Sequence, residues 1–350
     1  MKARIYVSCY DALFVAMEDI FLQFKNDYFL DDFDFIVFAI SDKFHPEDIN
    51  PTIKRIFQTD KYFAFNSEES FSHSYINNSI TALFLKFENK GKISIKSLDS
   101  LNKDKLNIVF IPYNNEKCIC DDLDKIKIPL IGGVCSGERA YIYYEGKIEK
   151  EKPIVLEFDN VDYKFGISLG YKPIGPTYKI NVSLKNKLYV IDYEDASLLT
   201  KKLLKNTNGK IENLWYSPLL VISDNTGIVD VVRTFKSIKE NFYTEFFGNI
   251  KRDSKVKLSF ATAEILLEED KKVALNLKRK ISPDLVFNFV SNAREFVLGE
   301  LKSKESEIYA EILNAPVFGF TTFGEIGPDY KHQKPKLYNQ SSLIVAIKEK

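Results

Sequence analysis

A chain of 350 residues with 49 Lys+Arg and 49 Asp+Glu carries no formal net charge, so it lacks the basic excess with which a nucleic-acid coat displaces counterions from phosphates. Apolar residues at 45% and charged ones at 28% exclude a disordered chain, and this length favours two packed domains over one. Aromatic residues reach 14%, with 28 Phe and 19 Tyr against one Trp, which requires thick, well-filled cores.

The four cysteines, Cys9, Cys118, Cys120 and Cys135, form no regular disulfide framework and point to a reducing compartment. Lys2 and Arg4 precede IYVSCY, but Asp11, Glu18 and Asp19 interrupt any signal-peptide core. The longest charge-free stretch, Ser70 to Leu85, is half Ser, Thr, Asn or His and cannot span a membrane. A cytoplasmic, soluble protein is expected.

In chain order, an amphipathic helix is predicted over about Asp11 to Phe24, with Leu13, Met17, Ile20, Phe21 and Phe24 on one face. FIVFAI from Phe35 is a continuous apolar run, the mark of a strand buried on both faces. Asn50 and Pro51 suit the N-cap and first turn of a short helix burying Ile53, Ile56 and Phe57. KYFAFN from Lys61, the polar turn NSEESFSHS and the strand ITALFLKF from Ile80 follow.

This order of strand, connection, strand, polar turn and strand recurs twice. The second copy is NIVFIPY from Asn107, IPLIGGVCSGERA from Ile128 and IVLEF from Ile154. The third is LVFNFV from Leu285, a helix around Glu305 to Leu313, PVFGFTTFGEIGP from Pro316 and SLIVAI from Ser342. Superposing the turns NSEE, CSGE and TFGE aligns Glu69, Glu138 and Glu325; the distances from strand start to glutamate, 35 to 69, 107 to 138 and 285 to 325, are 34, 31 and 40 residues. A triplicated supersecondary unit is expected. Between the second and third copies, KFGISLGYKPIGPTYKI from Lys164 reads as a rigid, turn-forming junction. Beyond it come strands around LYVIDY, a helix from about Asp195 to Lys205, a strand pair about the DNTG turn, and a long helix burying Leu266, Val273, Leu277 and Ile281. The fold class is α/β, with α+β as the variant: two domains with mixed sheets, split at 1–165 and 166–350.

Gly132 to Gly137 has half the spacing of a phosphate-binding loop, but Glu138 and Arg139 stand where that loop needs lysine and a hydroxyl, and the strand-like AYIYYEGK follows instead of a helix. A glycine-permitted strand reversal is the simpler reading. Cys118 and Cys120 have no second ligand pair, and His45, His73 and His332 are the only histidines, so no metal site is expected. An enzyme would use Cys135 as nucleophile with His73 as base, or the turn glutamates as acid and base. The three aligned glutamates would lie at strand ends where α/β proteins open ligand clefts. With Arg233 and Arg294 as counter-charges they would suit a zwitterion such as an amino acid.

PVFGFTTFGEIGP followed by LYNQSSLIVAI resembles the C-terminal signature of the FIST family, a sensory domain of prokaryotic signalling proteins, through Gly319, Gly324, Glu325, Ile326, Gly327 and Asn339. IGGVCSGE, with Gly132 and Gly133, is similar to the family's N-terminal domain, LGYKPIGPTYKI with VIDYEDA to the junction, and VVRTF and SNAREFVLG to the C-terminal half. The chain departs at Glu68, where a glycine is usual, at Tyr338 in place of His, and at Ser291 in place of Cys. The resemblance implies a sensor binding a small ligand through Glu69, Gly132, Gly133, Glu138, Arg233, Arg294, Gly319, Gly324, Glu325 and Asn339. No output domain is expected within these residues, so the signal would pass to a separate partner protein, with ligand binding closing one domain on the other. Some relatives are similar to haem-binding nitric-oxide sensors with a histidine ligand; with Tyr338 at that position no cofactor is expected.

Overall fold

The computed structural model describes the chain except residues 28–31, 73–74, 78, 114–122, 124–125, 139, 206–208, 223–228 and 330–333, and the side chains of 75–77 and 229–230. Cys118, Cys120, His73, His332, Arg139 and the DNTG turn therefore lie outside the described residues. Within them the protein is a two-domain α/β structure of six helices and three mixed or antiparallel sheets.

The first unit runs through β1 (Lys2–Ser8), α1 (Leu13–Lys25), β2 (Phe35–Ile40), α2 (Pro46–Phe57), β3 (Tyr62–Asn66), β4 (Glu69–Phe71), β5 (Tyr75–Asn77) and β6 (Ile80–Lys86). FIVFAI is fully buried: Ile36, Phe38 and Ile40 pack under α1 and α2, while Phe35, Val37 and Ala39 face the second sheet. The second helix starts four residues before the expected Asn50 cap, with Pro46 at its first position, where a missing N–H costs nothing. Asn50 is instead a buried hub, donating to Lys147 O at 3.0 Å and accepting from the Tyr62 hydroxyl at 2.7 Å.

The second unit comprises β7 (Lys92–Ser97), β8 (Leu106–Ile111), β9 (Ile131–Cys135), the hairpin β10 (Ile142–Tyr144) and β11 (Lys147–Glu149), and β12 (Ile154–Asp159). The third opens with β13 (Val161–Ser168) and resumes at β22 (Leu285–Ser291), α5 (Asn292–Leu298), α6 (Lys302–Leu313), β23 (Val317–Pro328), β24 (Pro335–Tyr338) and β25 (Ser342–Glu349). Between them lie β14 (Lys172–Leu184), β15 (Lys187–Ile191), β16 (Glu194–Asp195), α3 (Ala196–Lys205), β17 (Leu219–Ile222), β18 (Val229–Arg233), β19 (Phe235–Lys239), β20 (Tyr243–Phe246), β21 (Lys255–Phe260) and α4 (Ala263–Lys278).

The three units share one pairing pattern. In each, the first apolar strand runs parallel to the second and antiparallel to the last: β2 with β3 and β6, β8 with β9 and β12, β22 with β23 and β25. An outer strand flanks the last one antiparallel in every copy, as β1 on β6, β7 on β12 and β13 on β25. Units two and three join edge to edge through β9 and β23 and, with β4 and β5 of the first unit, make an eleven-stranded sheet; the remaining strands of the first unit and the β10–β11 hairpin form a six-stranded sheet that packs over it. Phe63, Phe65, Phe110, Phe289 and Phe320 interlock between these sheets with ring centroids 4.5–6.2 Å apart, each burial contributing about 1.5–3 kcal/mol.

The Gly/Pro-rich stretch expected as a junction is mostly strand. β13 carries the chain to Ser168, Gly170 turns it at φ +72°, and β14 follows as a 13-residue strand of the third, eight-stranded sheet. Gly175, Pro176 and Thr177 fall where the β14–β21 register shifts, so Pro176 is carried outside the ladder it cannot donate to. The boundary expected at 165/166 lies inside β13, all eight residues of which pair with β25.

Candidate functional site

The parallel pairing of β22 with β23 ends at Ser291 and Thr322, the end of a parallel pair where α/β proteins place ligands. A small pocket of about 40 Å³, partly open to solvent, lies there. Ser291, Asn292 and Ala293 form one side as β22 passes into α5, and Thr322 and Phe323 of β23 form the floor. The eight-stranded sheet closes it with Thr234 and Phe247, a 3₁₀ turn at Ile211–Tyr216 contributes Trp215, and Asn339 follows β24.

These walls are fixed by hydrogen bonds outside the pocket. Trp215 Nε1 donates to Phe235 O at 3.0 Å, Gln340 Nε2 to Trp215 O at 3.1 Å, and Phe247 N to Thr234 O at 3.1 Å. Among the lining residues, Thr234 Oγ1 and Asn339 Oδ1, on residues 1% and 2% exposed, have no partner among the described residues. An unpaired buried polar atom costs about 1–3 kcal/mol, and both of these belong to residues that line one cavity.

Glu325 stands behind this floor. It is fully buried on β23, its Oε1 2.6 Å from Thr322 Oγ1, while Ser341 Oγ and N donate to Oε2 at 2.5 and 3.3 Å. Thr322 Oγ1 donates to Oε1, and burial outweighs all of these donors and pushes the carboxyl up to about 8. Thr322 Oγ1 in turn lies 3.3 Å from Val290 O, beside the pocket.

Of the residues expected at the site, Asn339 lines the pocket and Glu325 supports it; the others lie elsewhere. The three polar turns do converge, through the hydroxyls of Ser67, Ser136 and Thr321 at 2.8–3.5 Å, but their glutamates diverge. Glu69 is ion-paired to Lys302, and Glu138 is exposed with its N–H on Asp42 Oδ2. That contact places a carboxylate where a phosphate-binding turn would need an anion. Arg294 is fully buried, its NH2 2.6 and 2.8 Å from the Asp270 carboxylate and its Nε 3.2 Å from Glu305 Oε2. Arg233 donates to the carbonyls of Asn249, Val232 and Leu337. The arginine counter-charges of a zwitterion site are thus committed within the protein. Gly132 and Gly133 lie inside β9, where a Cβ would meet Val109 O at 1.9 Å and Thr322 Cγ2 at 2.6 Å. Gly319 passes under the Phe71 ring, and Gly324 packs on Leu337.

The lining residues do not fit a haem: among the described residues they offer amide and hydroxyl oxygens, not imidazole or thiolate, and Tyr338, 3% exposed, gives its hydroxyl to Pro328 O at 3.5 Å. Cys135 is 2% exposed, and burial pushes its thiol far above the ordinary range, which disarms it as a nucleophile. Trp215, Thr234, Phe247 and Asn292 were missed in the sequence because they come from four separate segments. The one available signal was that Trp215 is the chain's only tryptophan.

Family comparison agrees with the architecture. The FIST N domain matches residues 34–194 and the FIST C domain residues 196–328. An uncharacterized protein of Aquifex aeolicus (strain VF5) is 30% identical over 263 residues, covering 65% of this chain and 97% of that protein. With both domain matches spanning most of its length, the chain belongs to the FIST family.

Proposed function

We propose that this protein is a sensory module whose ligand binds in the pocket between β22, β23 and the eight-stranded sheet, and that it signals to a separate partner protein. FIST domains are generally associated with sensory signal transduction, and the family is sensory rather than catalytic. The observation that carries the proposal is the pair of unpartnered buried atoms, Thr234 Oγ1 and Asn339 Oδ1, on one cavity. A ligand completing them while resting its apolar side on Trp215, Phe247 or Phe323 is a small polar molecule. Amino acids belong to that class, although with Arg233 and Arg294 committed elsewhere, a charge pair is not what would select them.

A thermal-shift screen of small polar metabolites, amino acids and primary amides tests this. A ligand at 100 times its dissociation constant adds about 2.7 kcal/mol, a rise of a few degrees. Asn339→Leu should lose the response while remaining folded; a hit that this variant binds undiminished would move the site elsewhere.

A further inference from the structure

Next to the pocket, on the side of Asn292, lies a carboxyl cluster that ligand binding itself does not use. Asn292 Nδ2 donates to Glu68 Oε2 at 2.5 Å. Lys302 Nζ lies 2.6 and 2.5 Å from the two oxygens of Glu69. Glu295, 6% exposed, is hydrogen-bonded to Glu69, and its Oε1 meets no donor among the described residues. The α5 helix that carries Glu295 also gives the pocket Asn292 and Ala293, and its Phe296 packs edge-on against Trp215 with centroids 5.6 Å apart.

We propose that Glu69, Glu295 and Lys302 form a proton-operated latch: with the Glu295 carboxyl protonated α5 is held against β4 and the pocket wall is set, and losing that proton to solvent drives α5 and β4 apart. Its consequence for binding rests on the pocket being the ligand site. Once the proton leaves, two carboxylates in contact share a single ammonium in a largely dehydrated place, where like charges repel strongly. Burial first, then the Glu69 charge, hold the Glu295 carboxyl well above the ordinary range. Glu68 is raised as well, by burial and then by Asp42, with Glu69 and Glu138 adding.

The charges facing Glu295 are Glu69 of β4 and Lys302 and Glu305 of α6. Of the other elements packed on α5, α4 brings Asp270, held by Arg294; β23 brings the enclosed Glu325; and the 3₁₀ turns bring Glu212 and Glu300 on exposed positions.

Trp215 reports on α5 without any ligand. Acrylamide quenching of its fluorescence in the full chain, scanned from about pH 5 to about pH 9, covers the range in which buried glutamates titrate. The quenching constant should rise about twofold in one sigmoid step as the wall opens. E295Q, whose amide can donate to Glu69 and has no proton to lose, should stay at the low value throughout, with circular dichroism unchanged at both ends. Should E295Q not fold, E69Q serves: with one negative charge fewer, its step moves to lower pH. A flat wild-type profile, the same step in E295Q or an unmoved step in E69Q overturns the latch and leaves the ligand pocket untouched. Undiminished ligand binding by Asn339→Leu would overturn the pocket and leave the step in place.

Discussion

At Glu325 a conspicuous sequence motif and its physical role part company. GEIG marks the residue, but a glutamate after glycine reads as a solvated turn, and only the fold shows Ser341 and Thr322 enclosing it. Because its pKa is raised from 4.5 to about 8 on folding, the unfolded chain releases this proton first as pH rises. Its contribution is full below the unfolded value and is lost as pH climbs through about 8. Glu325→Gln mimics the neutral acid, so urea unfolding of the two proteins between pH 5 and 9 should diverge, wild type losing up to about 4 kcal/mol more than the variant; parallel profiles would show an ionised Glu325. Arg294 teaches the same lesson: SNAREF says nothing of Asp270 and Glu305, which lie 24 and 11 residues away and neutralise it.

Among elements, those whose information is local were legible. FIVFAI, SLIVAI and the amphipathic first helix follow from periodicity alone, and the threefold recurrence of apolar runs is matched by threefold identical strand pairing. The reading of Lys164–Ile180 as a junction missed β14 because Gly and Pro usually end strands, whereas here a register shift carries them. The first-turn role given to Asn50 and Pro51 yielded to Pro46. Gly132 was read as a ligand contact, yet its place is set by β8: a Cβ there would lie 1.9 Å from Val109 O, a backbone atom that cannot turn aside. Gly132→Ala should therefore cost about 3 kcal/mol or more in urea unfolding; a loss below about 1 kcal/mol would mean that β8 and β9 separate easily and that the glycine is free for another purpose.

In the whole molecule, three units meet at the hydroxyls of Ser67, Ser136 and Thr321, and the carboxylate of Glu349 on the last strand accepts the N–H groups of Glu88, Asn89 and Gly91 between the first two units. The pocket is assembled apart from that junction, from segments spread between Trp215 and Asn339, which no local pattern announces. The central claim is that Thr234 Oγ1 and Asn339 Oδ1 are unpaired for the sake of a ligand rather than of the fold. Urea unfolding of ligand-free Thr234→Val against wild type tests it most directly, because valine keeps the shape and removes the unpaired hydroxyl. The account predicts a variant as stable as wild type or about 1 kcal/mol more stable. A variant destabilised by more than about 1 kcal/mol would contradict it, since the hydroxyl would then be satisfied within the protein and the pocket would not be waiting for a partner.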